Sequence, residues 1–157
     1  MSTELLKKIY LFAGLTAPEL IAVLKICHKE SFQKDKNIFL EGEPGDKCYI
    51  IEQGEVRISK YVPNVGEEAL AVLKSGSFFG EMALIDGSPR SAAAIANADT
   101  ACLVINKADL DALLTSDKDL GNKILMTFCK TLSSRLRETN EKISQFLAMS
   151  AGFGGAG

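Results

Sequence analysis

The residues best suited to chemistry lie in one stretch, Phe78-Phe79-Gly80-Glu81-Met82-Ala83-Leu84-Ile85-Asp86-Gly87-Ser88-Pro89-Arg90-Ser91-Ala92-Ala93-Ala94. Gly80 lets the backbone turn sharply into one short helical turn, whose free N–H groups can face an anion. Gly87, Ser88 and Pro89 then reverse the chain, so that Arg90, nine residues after Glu81, can return to the same pocket. A planar guanidinium fork suits two exocyclic oxygens of a phosphodiester. The Glu81 carboxylate only accepts hydrogen bonds and so suits a donor such as a sugar 2′-OH. Small side chains at 91–94 permit close approach of a ligand. Together these groups describe a small sugar phosphate with one negative charge, and a cyclic nucleotide fits. The competing arrangement is a plain Glu81–Arg90 salt bridge beside an ordinary turn.

Other chemistries lack their residues. His28 is the only histidine and cannot by itself build a metal site or a catalytic triad; at the end of a predicted helix it reads as a surface or capping residue. Cys27, Cys48, Cys102 and Cys129 have no CxxC spacing, so they read as buried free thiols rather than a zinc site or a disulfide framework. There is no P-loop, GxSxG elbow, HExxH or kinase loop set. The reading is therefore binding without turnover: not an enzyme, with no metal and no cofactor beyond the ligand itself. With 18 Lys plus Arg against 20 Asp plus Glu, the net charge of −2 gives no nucleic-acid footprint. No run reaches the ~18 apolar residues of a membrane span, and the N-terminus lacks the apolar core of a signal peptide. A cytoplasmic protein is expected.

The 157 residues leave room for one domain with a real core. Leu5, Leu6, Ile9 and Tyr10, then Leu20, Ile21, Val23, Leu24 and Cys27, recur at helical spacing, and Thr16 before Pro18 offers a helix start; residues 1–28 are read as N-terminal helices. From about 29 to 106, short runs rich in Ile, Val, Phe and Tyr are punctuated by EGEPGD, Gly54, PNVG, Gly76 and Gly87. That rhythm points to an all-β barrel or sandwich. Predicted strands are Asn37 to Leu40, Tyr49 to Gln53, Glu55 to Tyr61, Glu68 to Leu73, Ser91 to Ala96 and Ala101 to Ile105. The helical period then returns over 107–148, first in KADLDALL and then in a long helix that Ser116 can cap, with Asp119 three residues on. Leu125, Phe128, Leu132, Leu136 and Ile143 form one stripe on it. A helix of ~30 residues spans about 45 Å, so its far half wants a partner, and a parallel two-helix dimer seam is preferred to a single helix lying on the β domain. Residues 149–157 read as a flexible Gly-rich tail. No internal repeat of ~20 to 50 residues is visible.

The segment FGEMALIDGSPRSAAAIA resembles the phosphate-binding cassette of cyclic-nucleotide-binding domains: FGE, apolar residues, a turn, then PR, a small residue and Ala. The order of elements agrees with that family over roughly residues 5 to 148. The resemblance implies an α+β fold, an antiparallel β-roll or jelly-roll barrel (a double-stranded β-helix) flanked by short N-terminal helices and a long C-terminal helix, with the cassette at 78–94. It also implies roles: Glu81 on the ribose 2′-OH, Arg90 on the cyclic phosphate, the backbone of Gly80 and Met82 lining the site, Ser91 on a phosphate oxygen, and Ala83 and Ala92 within the ligand-binding set. A second stretch, Ser134-Arg135-Leu136-Arg137-Glu138-Thr139-Asn140-Glu141-Lys142-Ile143, is similar to the dimer helix of the bacterial catabolite-activator family. There the Thr position meets the adenine edge from its own subunit and the next polar residue reaches in from the partner, so Thr139 and Asn140 are implied, although Asn140 departs from the usual short hydroxyl residue. The family's helix-turn-helix is not seen in this sequence. The resulting expectation is a homodimeric cyclic-AMP receptor without direct DNA binding, signalling through its C-terminal helix to an unknown protein partner; a cyclic-GMP receptor or a nucleotide-independent scaffold module are the alternatives.

Overall fold

The computed structural model describes residues 9–153. They form two compact units divided after Ile124. In the first, a 3-10 turn (Tyr10–Phe12) and helix α1 (Ala17–Lys25) precede the strands β1 (Cys27–Phe32), β2 (Asn37–Phe39), β3 (Lys47–Gln53), β4 (Glu55–Val62), β5 (Gly66–Lys74) and β6 (Phe78–Phe79). Helix α2 (Glu81–Asp86) follows, then β7 (Ala93–Ala96), β8 (Thr100–Asn106) and helix α3 (Lys107–Ser116). Helix α4 (Lys118–Phe153) begins in the first unit and continues as the second. No helix among the described residues is long and apolar enough to cross a membrane.

The eight strands make two antiparallel four-stranded sheets, ordered β1-β8-β3-β6 and β2-β7-β4-β5. Alternation along each strand sends one side-chain set inward: Tyr49 and Ile51, Val56, Phe79, Ala94, and Cys102 and Val104 form the buried core between the sheets. The opposite set in the first sheet, Ile50, Leu103 and Ile105, is also buried. A sheet apolar on both faces needs a second layer, and the buried helical residues Leu11, Phe12, Leu20, Val23, Leu110, Leu120 and Ile124 supply the apolar surface for it. The second sheet ends on β5, whose register with β4 shifts at a bulge between Ile58 and Ser59.

Several boundaries differ from the sequence reading, each for a local reason. His28 lies in β1 paired to Val104, not at a helix end: Ile26 closes α1 by donating to Leu24 and Val23 carbonyls, and the chain is taken up by the edge of β8. Ser116 does not cap α4. Its hydroxyl donates back to the Leu113 carbonyl, and Asp117 accepts instead from the Leu120 N–H at 3.0 Å. The last helix runs to Phe153 rather than Ala148, so residues 149–153 are helical, not a flexible tail, and 154–157 lie outside the described residues. Leu5 and Leu6 also lie outside them. Cys48 and Cys102 are buried thiols as expected, whereas Cys27 is half-buried and Cys129 is exposed on α4.

At the start of α1, Thr16 and Glu19 form a reciprocal capping box: the Thr16 hydroxyl accepts from the Glu19 N–H and the Glu19 carboxylate accepts from the Thr16 N–H at 2.7 Å. Both Glu19 oxygens also accept from Lys123 Nζ at 2.8 Å, which ties α1 to the first turns of α4. The Lys123 ammonium, followed by the Thr16 N–H, holds the Glu19 carboxyl down at about 2. Because the folded value lies below the unfolded one, this contribution is complete above the ordinary carboxylate range and is lost as pH falls towards about 2. Thermal unfolding of Glu19→Gln, which keeps the cap but removes the charge, is expected to show a lower Tm than the natural chain at about pH 6 and a difference that shrinks as pH falls through about 2; a difference that ignores pH would remove the ion pair from the account.

Candidate functional site

The site is built on the aromatic part of the core. Tyr49 and Phe79 stack with ring centroids 5.1 Å apart, and Phe39 tilts against both at 5.8 and 5.9 Å. Above this base the Arg90 guanidinium carbon sits 4.1 Å from the Phe39 ring centroid, a cation–π contact. Arg90 is only 5% exposed. Its Nη1 donates to the Gly80 carbonyl and its Nη2 to the Lys47 carbonyl, each at 2.8 Å. Its Nε is buried and has no hydrogen-bond partner among the described residues. The fork is thus held by neutral carbonyls, with no carboxylate at ion-pair distance among the described residues, and the plain Glu81–Arg90 salt bridge is not the arrangement adopted. Burial works against the charge on Arg90, and the nearby Tyr49, Asp46, Cys48 and Glu43 oppose that effect.

Glycine is required where the backbone approaches this cation. Gly80, with φ at +80°, turns β6 into α2, and a Cβ there would come within 2.8 Å of Arg90 Nη1 and 3.2 Å of the Lys47 carbonyl. Gly45, in the loop between β2 and β3, lies so close that a Cβ would drive into the Ala83 methyl and reach 2.9 Å from the guanidinium carbon. That loop clasps Arg90 by its backbone, with Gly42 N donating to Arg90 O at 2.9 Å and Arg90 N to Glu43 O at 2.8 Å.

Glu81 opens α2 and is 1% exposed. Burial pushes the Cys48 thiol far up, the Glu81 carboxylate adds to that, and Arg90 opposes it. Glu81 follows directly on Gly80, whose carbonyl accepts from Arg90 Nη1, so carboxylate and guanidinium meet the same turn. Ala83 and Ala92 are buried, Met82 and Ser91 are exposed, and the Ser91 hydroxyl lies 3.8 Å from the Met82 sulfur. Gly80, Glu81, Met82, Ala83, Arg90, Ser91 and Ala92 therefore belong to one unit. Thr139 and Asn140 belong to the second, both exposed; the Thr139 hydroxyl donates to the Arg135 carbonyl of its own helix at 2.8 Å.

Sequence reasoning missed Phe39, Gly45 and Lys47. Phe39 reads as an ordinary strand residue and Gly45 as turn punctuation. Lys47 acts through its carbonyl, which no side-chain pattern can reveal.

Residues 29–117 match the family description "Cyclic nucleotide-binding domain". Among curated relatives, the CRP-like cAMP-activated global transcriptional regulator of Mycobacterium tuberculosis is 26% identical over 92% of this chain and 62% of its own. The Cyclic AMP receptor protein of Thermus thermophilus is 36% identical over 83% of this chain and 58% of its own. The chain thus spans about three fifths of the length of these two relatives. A solved cyclic nucleotide-binding domain from Methylobacillus flagellatus is 34% identical and superposes with a TM-score of 0.82, covering 90% of this chain and 80% of that one. With a family match over more than half its length and the same α+β roll, this chain belongs to the cyclic nucleotide-binding domain family.

Proposed function

We propose that the chain is a cyclic-AMP receptor that binds its ligand without turning it over and reports it through the C-terminal helix. The observation that carries this reading is Arg90: a buried cation whose hydrogen-bond partners are two neutral carbonyls and whose Nε is unpartnered. A buried cation held by neutral carbonyls rather than by a direct ion pair is expensive, and an anion bound there would offset that cost. A guanidinium has five N–H donors, and its remaining ones suit a singly charged cyclic phosphate. Glu81 takes the ribose 2′-OH in this scheme, the backbone at Gly80, Met82 and Ala83 approaches the phosphate, Ser91 adds a hydroxyl, and Ala92 leaves space.

The second unit supplies the base contact and the dimer. Leu125, Leu132, Leu136, Ile143 and Phe146 follow one another at heptad spacing, with Thr139 on the same seam between Leu136 and Ile143. Leu136, Ile143 and Phe146 are 61%, 52% and 64% exposed, an apolar row that a second copy would cover. On this arrangement Thr139 meets the adenine edge, Asn140 reaches the ligand of the partner copy, and the output passes to a cytoplasmic protein partner rather than to DNA. Guanine selectivity is the second reading, because the exposed Ser91 hydroxyl is also able to accept from a guanine amino group.

Titration calorimetry with cyclic AMP and cyclic GMP tests the ligand. Arg90→Ala is expected to weaken binding by ~2 to 5 kcal/mol, roughly thirtyfold to several thousandfold, because the bound phosphate then lies buried and unpaired; absence of heat with either nucleotide on the natural chain would favour the scaffold alternative. Thr139→Ala should narrow the preference for cyclic AMP over cyclic GMP, and an unchanged ratio would remove Thr139 from the site. In sedimentation velocity, Leu136→Asp should convert a dimer of the natural chain to monomer, whereas a natural chain that sediments as monomer would refute the seam.

A further inference from the structure

One side chain joins the cassette to the segment that follows the roll. Lys107 is the first residue of α3. Its backbone N–H donates to the Asp46 carbonyl at 2.8 Å. Its Nζ donates to the Leu84 carbonyl of α2 at 3.1 Å and to Asp111 Oδ2, one turn along α3, at 3.0 Å. Leu84 stands in the last turn of α2, where carbonyls lack an intrahelical partner, and Lys107 provides one from a different element.

Asp46 ends the loop that clasps Arg90 through Gly42 and Glu43 and that lies against Ala83 at Gly45. Two routes therefore leave the ligand site and end on Lys107, one through α2 and Leu84 to its Nζ and one through loop 42–46 and Asp46 to its backbone N–H. The Lys107–Asp111 pair is exposed, 42% and 56% by side chain, and contributes little stability by itself. Its effect is geometric, because it fixes the ammonium to α3 while the same ammonium holds α2.

We propose that Lys107 is the positioning residue through which a change in the cassette reaches α3. Coupling of this kind needs a physical element that both ends bias, and Lys107 is bonded to both. The proposal rests on the receptor reading only for what displaces the cassette; the junction itself does not depend on it.

Hydrogen exchange on the full chain tests it without a ligand. Gly45→Ala, which pushes a methyl into Ala83 and Arg90, is expected to speed exchange at amides 111–116 by about threefold or more when Lys107 is present and by about half that or less in Lys107→Met, where the Nζ bond to Leu84 is cut while the backbone bond to Asp46 stays, with Lys107→Arg restoring the response. Equal responses in the Lys107 and Lys107→Met backgrounds overturn the proposal, and Arg90→Lys serves as the perturbation if Gly45→Ala does not fold. Cyclic AMP provides the second arm. Slower exchange at both the cassette and amides 111–116 in the natural chain, with the response at 111–116 reduced and that of the cassette kept in Lys107→Met, supports the coupling; a response at 111–116 undiminished in Lys107→Met overturns it. A chain that binds no cyclic nucleotide overturns the receptor reading, and the Gly45 comparison still decides Lys107.

Discussion

A guanidinium almost sealed inside a small β domain dictates much of what surrounds it. Arginine stays charged in proteins, so burying it without a carboxylate leaves the fold to satisfy it by other means. Here those means are the face of Phe39 and the carbonyls of Gly80 and Lys47. Each constrains more of the chain. Phe39 must lean on Tyr49 and Phe79, which fixes where β2, β3 and β6 meet. The two carbonyls fix the start of β3 and the turn into α2, and the turn accepts no side chain on Gly80.

The core and the site are consequently one structure. The same stacked rings that exclude water between the sheets form the floor beneath the cation, so apolar packing sets the position of a charge. Burial acts on the neighbouring groups as well: it is the main cause of the raised Cys48 thiol, to which Glu81 adds and which Arg90 opposes. Loop 42–46 and α2 close over this floor from two sides, and the contact between Gly45 and Ala83 is the point where they touch.

The sequence was most informative where local chemistry and long-range contact agree. Gly80, Glu81 and Arg90 lie within one short stretch whose turn residues force them together, so their association is visible without a fold. The α1 start at Thr16 and the return of helical period after Asn106 are equally local. What stayed hidden depends on pairing across the chain. CHKESF carries no strong strand pattern and becomes β1 because β8 offers it an edge. Ser116 and Asp117 both suit a helix cap, and the turn after α3 decides between them. Phe39 and the Lys47 carbonyl matter only because the roll brings them beside Arg90, 43 residues on from Lys47.

The outer strand of the second sheet has a further consequence. β5 is an end strand, and end strands are the usual template for edge-to-edge aggregation. It is blunted by the adjacent carboxylates Glu67 and Glu68, by Lys74 at its end and by the bulge opposite Ile58 and Ser59. The bulge breaks the straight register that a growing sheet requires. The β5 end of the second sheet is thereby a poor place to add a further strand.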